Sequence, residues 1–438
     1  MDGNNNKQPN NNNNDPATNN KEENDEQEEN KDLVNEMNDD EEFINQEEIA
    51  EIEEIDKEAL KNEMEVDDED NNNNKENLEE NDIKEDAEIF SKEYPDFQAK
   101  GEIYSINFHK DSGTLIIGDG EDTTYFYNLN EKKIIKEEKY NKDSVNFIKF
   151  SKDNKYMLTT SIDGSINIFN PSKHFELIDT ITDQDSEINW VEWHPKGPVF
   201  AFGTAEGAVW VYMATNKKNN FNFYNHTESC TCGAFIDDGK KLISGGEDGA
   251  AKIYELKEKK VEYNIKGKKF MKNPITCLDV CKSKAIVVFC SIANEFSIVN
   301  YQNGNVVFYT QYPCPNEKGC SIESVCFCYN DQYIVFADAE NHLNIFEMKS
   351  MNLRSSLTIN GENLIKITPS IKKSYEVICS GSNGNMYIFD TRGVGSVILK
   401  EKVHSDVIMD YVVTENENFI ITSSIDKTIN LVKIVDIE

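Results

Sequence analysis

Ser161-Ile162-Asp163-Gly164 followed by Ser165-Ile166-Asn167-Ile168-Phe169 reads as a turn that feeds a strand. Gly tolerates positive φ, and an Asp in the turn bonds nearby amides. The strand alternates and ends on an aromatic residue. Working outward, residues 144–150 alternate as a first strand, Ser151-Lys152-Asp153-Asn154 makes a turn, and 156–159 form a second strand. Residues 166–169 are then the third strand and 175–180 an outer fourth. Four short strands with turn signals between them describe one antiparallel sheet.

The same phrase recurs eight times. Gly120-Glu121-Asp122-Thr123 precedes Tyr125-Phe126-Tyr127, Glu206-Gly207 precedes 209–212, and Gly246-Glu247-Asp248-Gly249 precedes 252–254. Asn294, Glu340, Asn383 and Asp426 open the later copies, so that the markers at 122, 163, 206, 248, 294, 340, 383 and 426 lie 41 to 46 residues apart. A period in the low forties with four strands per unit is that of WD-repeat propeller blades. The expectation is an all-β, eight-bladed WD-repeat β-propeller over residues 87–438. The last repeat stops after one more strand, and an open ring would leave unpaired edges. Residues 87–91, just before the first repeat, are expected to supply the missing outer strand of the last blade.

Residues 1–100 carry 36 acidic residues against 9 lysines, whereas 101–438 carry 45 acids and 36 bases. Like charge with so little apolar surface cannot offset chain entropy, so 1–86 read as a long disordered, acidic, Asn-rich tail. Within it Ile49, Ile52 and Ile55, with Ala59 and Leu60, outline a short helical motif at 47–60. No run of about 18 apolar residues offers a membrane span, and the polar start argues against a secretory signal. The ten cysteines lack paired CxxC spacing and read as buried strand thiols of a reducing compartment. Without such a signal, the acceptor pattern Asn225-His226-Thr227 is idle. There is no HExxH, GxSxG or phosphate loop, and the six histidines fall in different repeats, so neither an enzyme nor a cofactor or metal site is expected.

All three tryptophans lie in Ile188-Asn189-Trp190-Val191-Glu192-Trp193-His194-Pro195 and in Val209-Trp210. This block resembles the third repeat of the angio-associated migratory cell protein family. The resemblance extends through Gly246 to Gly249, Ser321 to Ser324 and His404 to Asp426, and to the acidic stretch around residues 40–70. It implies an eight-bladed propeller. From the family's fungal branch it also implies a dedicated chaperone that captures the basic N-terminus of a large-subunit ribosomal protein on its acidic top face. The animal branch's link to heparin binding fits poorly, because residues 1–100 contain no basic cluster. A histone-binding escort and a WD-repeat scaffold in a larger complex are the competing readings.

The turns before each third strand and the lead-ins to each first strand fall on one face of a propeller, and here they are rich in carboxylates. Asp143, Glu187, Glu323 and Asp406 sit at lead-ins with no evident turn duty, while Glu247 and Asp338 lie in turns. Together with Trp190, which could stack on an arginine, they form the expected client-binding set. Asp163, Asp248 and Asp426 are read as structural turn residues, and His404 with Asp426 as the one surviving His–Asp pair of a WD blade. Convergent carboxylates concentrate cations and disfavour nucleic acid, whose phosphates need Lys and Arg. The partner expected is therefore an Arg/Lys-rich segment of a ribosomal protein, held by a monomer in the cytoplasm or also the nucleus, with no direct nucleic acid and no membrane.

Overall fold

The computed structural model describes residues 92–93, 97–182, 185–267, 269–281, 283–312, 320–414 and 419–433. They form eight four-stranded antiparallel sheets, the eight blades of a propeller. The tail at 1–86, its motif at 47–60 and the expected closing segment 87–91 lie outside the described residues.

The repeat read from the sequence is blade 2, whose strands are Val145–Phe150, Met157–Ser161, Ile166–Asn170 and Glu176–Ile181. Its burial pattern explains the composition of all the blades. The second strand is buried throughout, as it is in Thr114–Asp119 and Ile286–Ser291. A blade packs against a neighbour on each side, so both faces of its middle strands are apolar. The outer strand, by contrast, reads polar and exposed, as in Lys133–Glu138.

The hydrophobic core is accordingly not one mass. It falls into eight clusters, and each joins two adjacent blades. The cluster that closes the ring holds Ile103, Leu115, Tyr125 and Tyr127 of blade 1 against Ile421 and Ile429 of blade 8. Its wedge is Phe97, whose ring meets Tyr125 and Tyr127 edge-on at 5.3 and 5.4 Å.

Blade 8 spans 408–433 and takes its outer strand from upstream of blade 1. Lys92 pairs with Val432 and Glu93 with Leu431, and a bridge joins Gln98 to Thr428. The Ala99 amide also donates to Lys427 O at 2.9 Å. A segment from upstream of blade 1 and the last described strand are thus woven into one sheet.

A second device recurs in every blade: a register shift near the start of the innermost strand, at 103/105, 145/147, 188/190, 230/232, 275/277, 322/324, 364/366 and 408/410. A bulge leaves one extra residue unpaired and re-aims its side chain. In four consecutive blades that residue is Asn146, Asn189, Thr231 or Thr276, and its side chain donates to the carbonyl that opens the next inner strand. The acceptors are Ile188 O at 2.8 Å, Cys230 O at 3.2 Å, Ile275 O at 2.7 Å and Ile322 O at 2.6 Å. Elsewhere Asn107 donates to Ile148 O, the Ile367 amide to Ser324 Oγ, Lys366 Nζ to Asp410, and the Ile106 amide to Asp410. Every junction of the ring therefore carries a polar bridge.

Because Phe97 fills the closing junction, Phe97→Ala is expected to destabilise the whole propeller by about 3–4 kcal/mol. Urea unfolding with a single shared transition for all blades is the check. A drop under 1 kcal/mol would mean that this wedge does not hold the ring shut.

Candidate functional site: one face of the ring

Eight equivalent backbone bonds define one face. In each blade the turn between the second and third strands donates an amide to the lead-in of the first: Gly120 to Glu102, Ile162 to Ser144, Ala205 to Glu187 and Glu247 to Ser229. Ile292 to Pro274, Ala339 to Ser321, Ser382 to Asn363 and Ile425 to Val407 complete the circle. Turn and lead-in thus share a surface in every blade.

The carboxylates on this face divide by burial into two groups. Some are enclosed and saturated by donors. Asp119 accepts the amides of Gly101, Glu121 and Thr123 and the Tyr125 hydroxyl. Glu295 accepts the Lys272 and Asn273 amides, Ser291 Oγ and Tyr309 OH. Asp163, half-buried, accepts the Lys142 and Ser165 amides and Ser165 Oγ. These groups tie turn to lead-in, which is a structural task.

Asp338 belongs with them, against expectation. It is buried and accepts the amides of Glu340 and His342, His342 Nδ1, and Asn344 Nδ2. With its oxygens engaged inside the blade, it is not a surface group for a client. Trp190 is the second correction. Its ring is 6% exposed and fills a slot between blades 3 and 4, where Nε1 donates to Cys230 Sγ at 3.2 Å. Two glycines make that slot: a Cβ on Gly203 would stand 2.0 Å from Trp190 Nε1, and one on Gly233 2.3 Å from Cζ2. An indole so enclosed has no face to stack on a ligand.

Asp143, Glu187, Glu247, Glu323 and Asp406 are exposed on the face. Asp143 and Asp406 each cap the next residue's amide, at 2.7 and 2.8 Å, and remain open to solvent. Glu323 is the most telling. It occupies the bulge position filled by Asn146, Asn189, Thr231 and Thr276 in the four preceding blades. Those residues donate across the junction; a carboxylate can only accept. The bridge at this junction is instead made by Ser324. Glu323 is therefore a negative charge at a place where the fold would be served by a donor.

The sequence reading missed several members. Glu102 is exposed, and its carbonyl accepts the Gly120 amide as that of Glu187 accepts Ala205; its place directly before a first strand was the available signal. Glu228 is exposed at the lead-in of blade 4. Glu362 is 2% exposed and binds the Asn383 amide, Asn385 Nδ2 and the Tyr387 hydroxyl from inside blade 7. Cations also reach the face: Lys427 is tethered to Lys100 O at 2.9 Å and Lys139 to Glu121 O at 2.7 Å, and Lys142 and Lys272 are exposed in lead-ins.

A second His–Asp pair was also missed. His226 Nδ1 meets Asp248 at 3.0 Å, and its Nε2 meets Ser244 Oγ, which bonds Tyr254 OH. Blade 8 repeats the pair with His404, Asp426 and Thr422, and adds Asn430, which stands at the register position of Lys252 in blade 4. In both blades His and Asp lie 22 residues apart, and that shared spacing was the signal. Asn225-His226-Thr227 is thus part of a buried network. Among the described residues eight cysteines are free thiols, seven of them buried, as expected of strand cysteines. Cys320 departs from that reading, being disulfide-bonded.

A WD40-like domain profile matches residues 101–426, and the chain belongs to the WD40-like family. Among its relatives are the angio-associated migratory cell proteins of Canis lupus familiaris and Homo sapiens. They are 25% and 24% identical over 335 residues, which is 74% of this chain and 75% and 76% of theirs. The fold is also that of Sqt1 from Saccharomyces cerevisiae, with TM-score 0.69, 16% identity, and coverage of 80% of this chain and 98% of that one. Sqt1 of Chaetomium thermophilum, solved bound to the N-terminus of the ribosomal protein L10, superimposes with TM-score 0.68 at 19% identity, covering 78% and 98%.

Burial alone would raise the Asp248 carboxyl. The His226 hydrogen bond and charge, with the Thr227 and Ala250 amides, outweigh it and hold the group down at about 2. A carboxyl depressed from the usual value of about 3.9 contributes stability above that pH and loses it as pH falls through the folded value, here about 2 kcal/mol. The stability gap between wild type and Asp248→Asn is therefore expected to narrow by 1–2 kcal/mol, roughly, from pH 5 to pH 2.5. Urea unfolding at the two pH values checks this; a constant gap would show that Asp248 titrates as it does in the unfolded chain.

Proposed function

We propose that this chain is a non-catalytic binding protein that holds the basic N-terminal segment of a large-subunit ribosomal protein on its acidic face and escorts it, as a monomer in the cytoplasm, toward ribosome assembly. The observation that carries this reading is Glu323. A repeat that supplies a donor at the bulge in blades 2 to 5 supplies an exposed carboxylate in blade 6, where Ser324 makes the bridge instead. Asp143, Glu187, Glu247 and Asp406 add negative charge on the same face, and the buried carboxylates beneath are already saturated. Such a field speeds capture of a cationic segment and weakens with salt. The shared fold with a propeller solved on the N-terminus of ribosomal protein L10 supports the choice of client.

Two experiments test the proposal. Affinity purification from translating cells, read by mass spectrometry, should return one ribosomal protein in near-stoichiometric yield; histones in its place would favour an escort of another kind. Charge reversal at Glu323 and Asp406 should weaken binding of a Lys/Arg-rich peptide at least tenfold and flatten its salt dependence. Glu323→Asn gives a sharper outcome. The new amide can reach Leu364 O as Asn189 reaches Cys230 O, so stability should rise by about 1 kcal/mol while peptide affinity falls. Lower stability together with unchanged affinity would defeat the assignment.

A further inference from the structure

We propose that Cys277 and Cys290 are an oxidisable pair that closes a cross-strand disulfide in blade 5. Among the described free cysteines they are the one pair placed directly opposite each other on adjacent antiparallel strands, Ile275–Cys281 and Ile286–Ser291. Side chains of such partners share a face, with Cβ atoms about 4.5–5.5 Å apart; a disulfide needs about 3.5–4.5 Å. Closure therefore asks for an approach of two facing side chains in a strand that the adjacent bulge leaves locally irregular.

The two sulfurs differ in access. Cys290 is fully buried, and burial pushes its thiol well above the ordinary range. Cys277 is half-buried and donates its S–H to Ile322 O at 3.7 Å. The accessible thiol therefore meets the oxidant and the enclosed one resolves it. With hydrogen peroxide, the Cys277 sulfur attacks one peroxide oxygen and the O–O bond breaks, giving the sulfenic acid and water. The Cys290 sulfur then displaces the hydroxyl, which leaves as water with the Cys290 proton, and the S–S bond forms. Two thiols are oxidised and one peroxide is reduced to two waters.

Closure removes the Cys277 donor from Ile322 O, but Thr276 Oγ1 still holds that carbonyl at 2.6 Å, so the ring stays bridged. The peptide unit carrying Ile322 O also carries the amide of Glu323. Oxidation is thus felt in the backbone of the residue assigned to client holding, a consequence that rests on the proposed function, whereas the disulfide itself does not.

The test uses the folded full chain with millimolar hydrogen peroxide and non-reducing peptide mapping. The expected product is a Cys277–Cys290 linked peptide, two hydrogens lighter and restored by dithiothreitol. In Cys290→Ala the resolving thiol is gone, so dimedone should trap Cys277 sulfenic acid in several-fold higher yield than in wild type. Linkage of Cys277 to Cys232, sulfinic acid at Cys277 with no linkage, or thiols that react only after unfolding would each overturn the proposal. A Lys/Arg-rich peptide titrated against both redox forms reads the consequence separately: the linkage stands or falls on the map, whatever the affinity does.

Discussion

The constraint on which this molecule depends is that no blade owns a core. A four-stranded sheet with two apolar faces is stable only between two neighbours, and eight such sheets satisfy one another only when the last meets the first. The eight junction clusters and the polar bridges between inner strands express the same requirement in two currencies, apolar burial and hydrogen bonding. Phe97 and the Lys92–Glu93 pairing matter because they sit where the chain must return to its beginning.

That requirement also explains how the acidic face is divided. A turn that must be fixed to its lead-in presents several donors at once, backbone amides and side chains, and one buried carboxylate can gather three or four of them. Asp119, Glu295 and Glu362 do this with no histidine, while Asp338, Asp248 and Asp426 share the task with His342, His226 and His404. The charges left exposed are those that this task does not use. Their meaning rests on contrast: Glu323 is informative because Asn146, Asn189, Thr231 and Thr276 show what the same position does when it serves the ring.

Much of the architecture was legible in the sequence, since a strand buried on both faces must read as an apolar run and a turn with positive φ must read as Gly, Asn or Asp. Both signatures survive even where the repeats have diverged. The site was less legible. Asp338 and Asp406 look alike in the sequence, each an acid beside a strand, yet one is sealed among donors and the other faces solvent. Trp190 looked like a surface aromatic because nothing local reveals that Gly203, from the neighbouring strand, and Gly233, from the next blade, clear a slot for it.

By itself the sequence determined the number of blades, the order of strands within each and the preponderance of negative charge, because these depend on periodicity and composition along the chain. Which carboxylates are spent on the fold, and which stay open to solvent, was decided by the tertiary structure alone. The donors that saturate a buried acid come from the far side of a turn or from a lead-in some twenty residues away, and the bulge that singles out Glu323 is defined by its partner strand rather than its own.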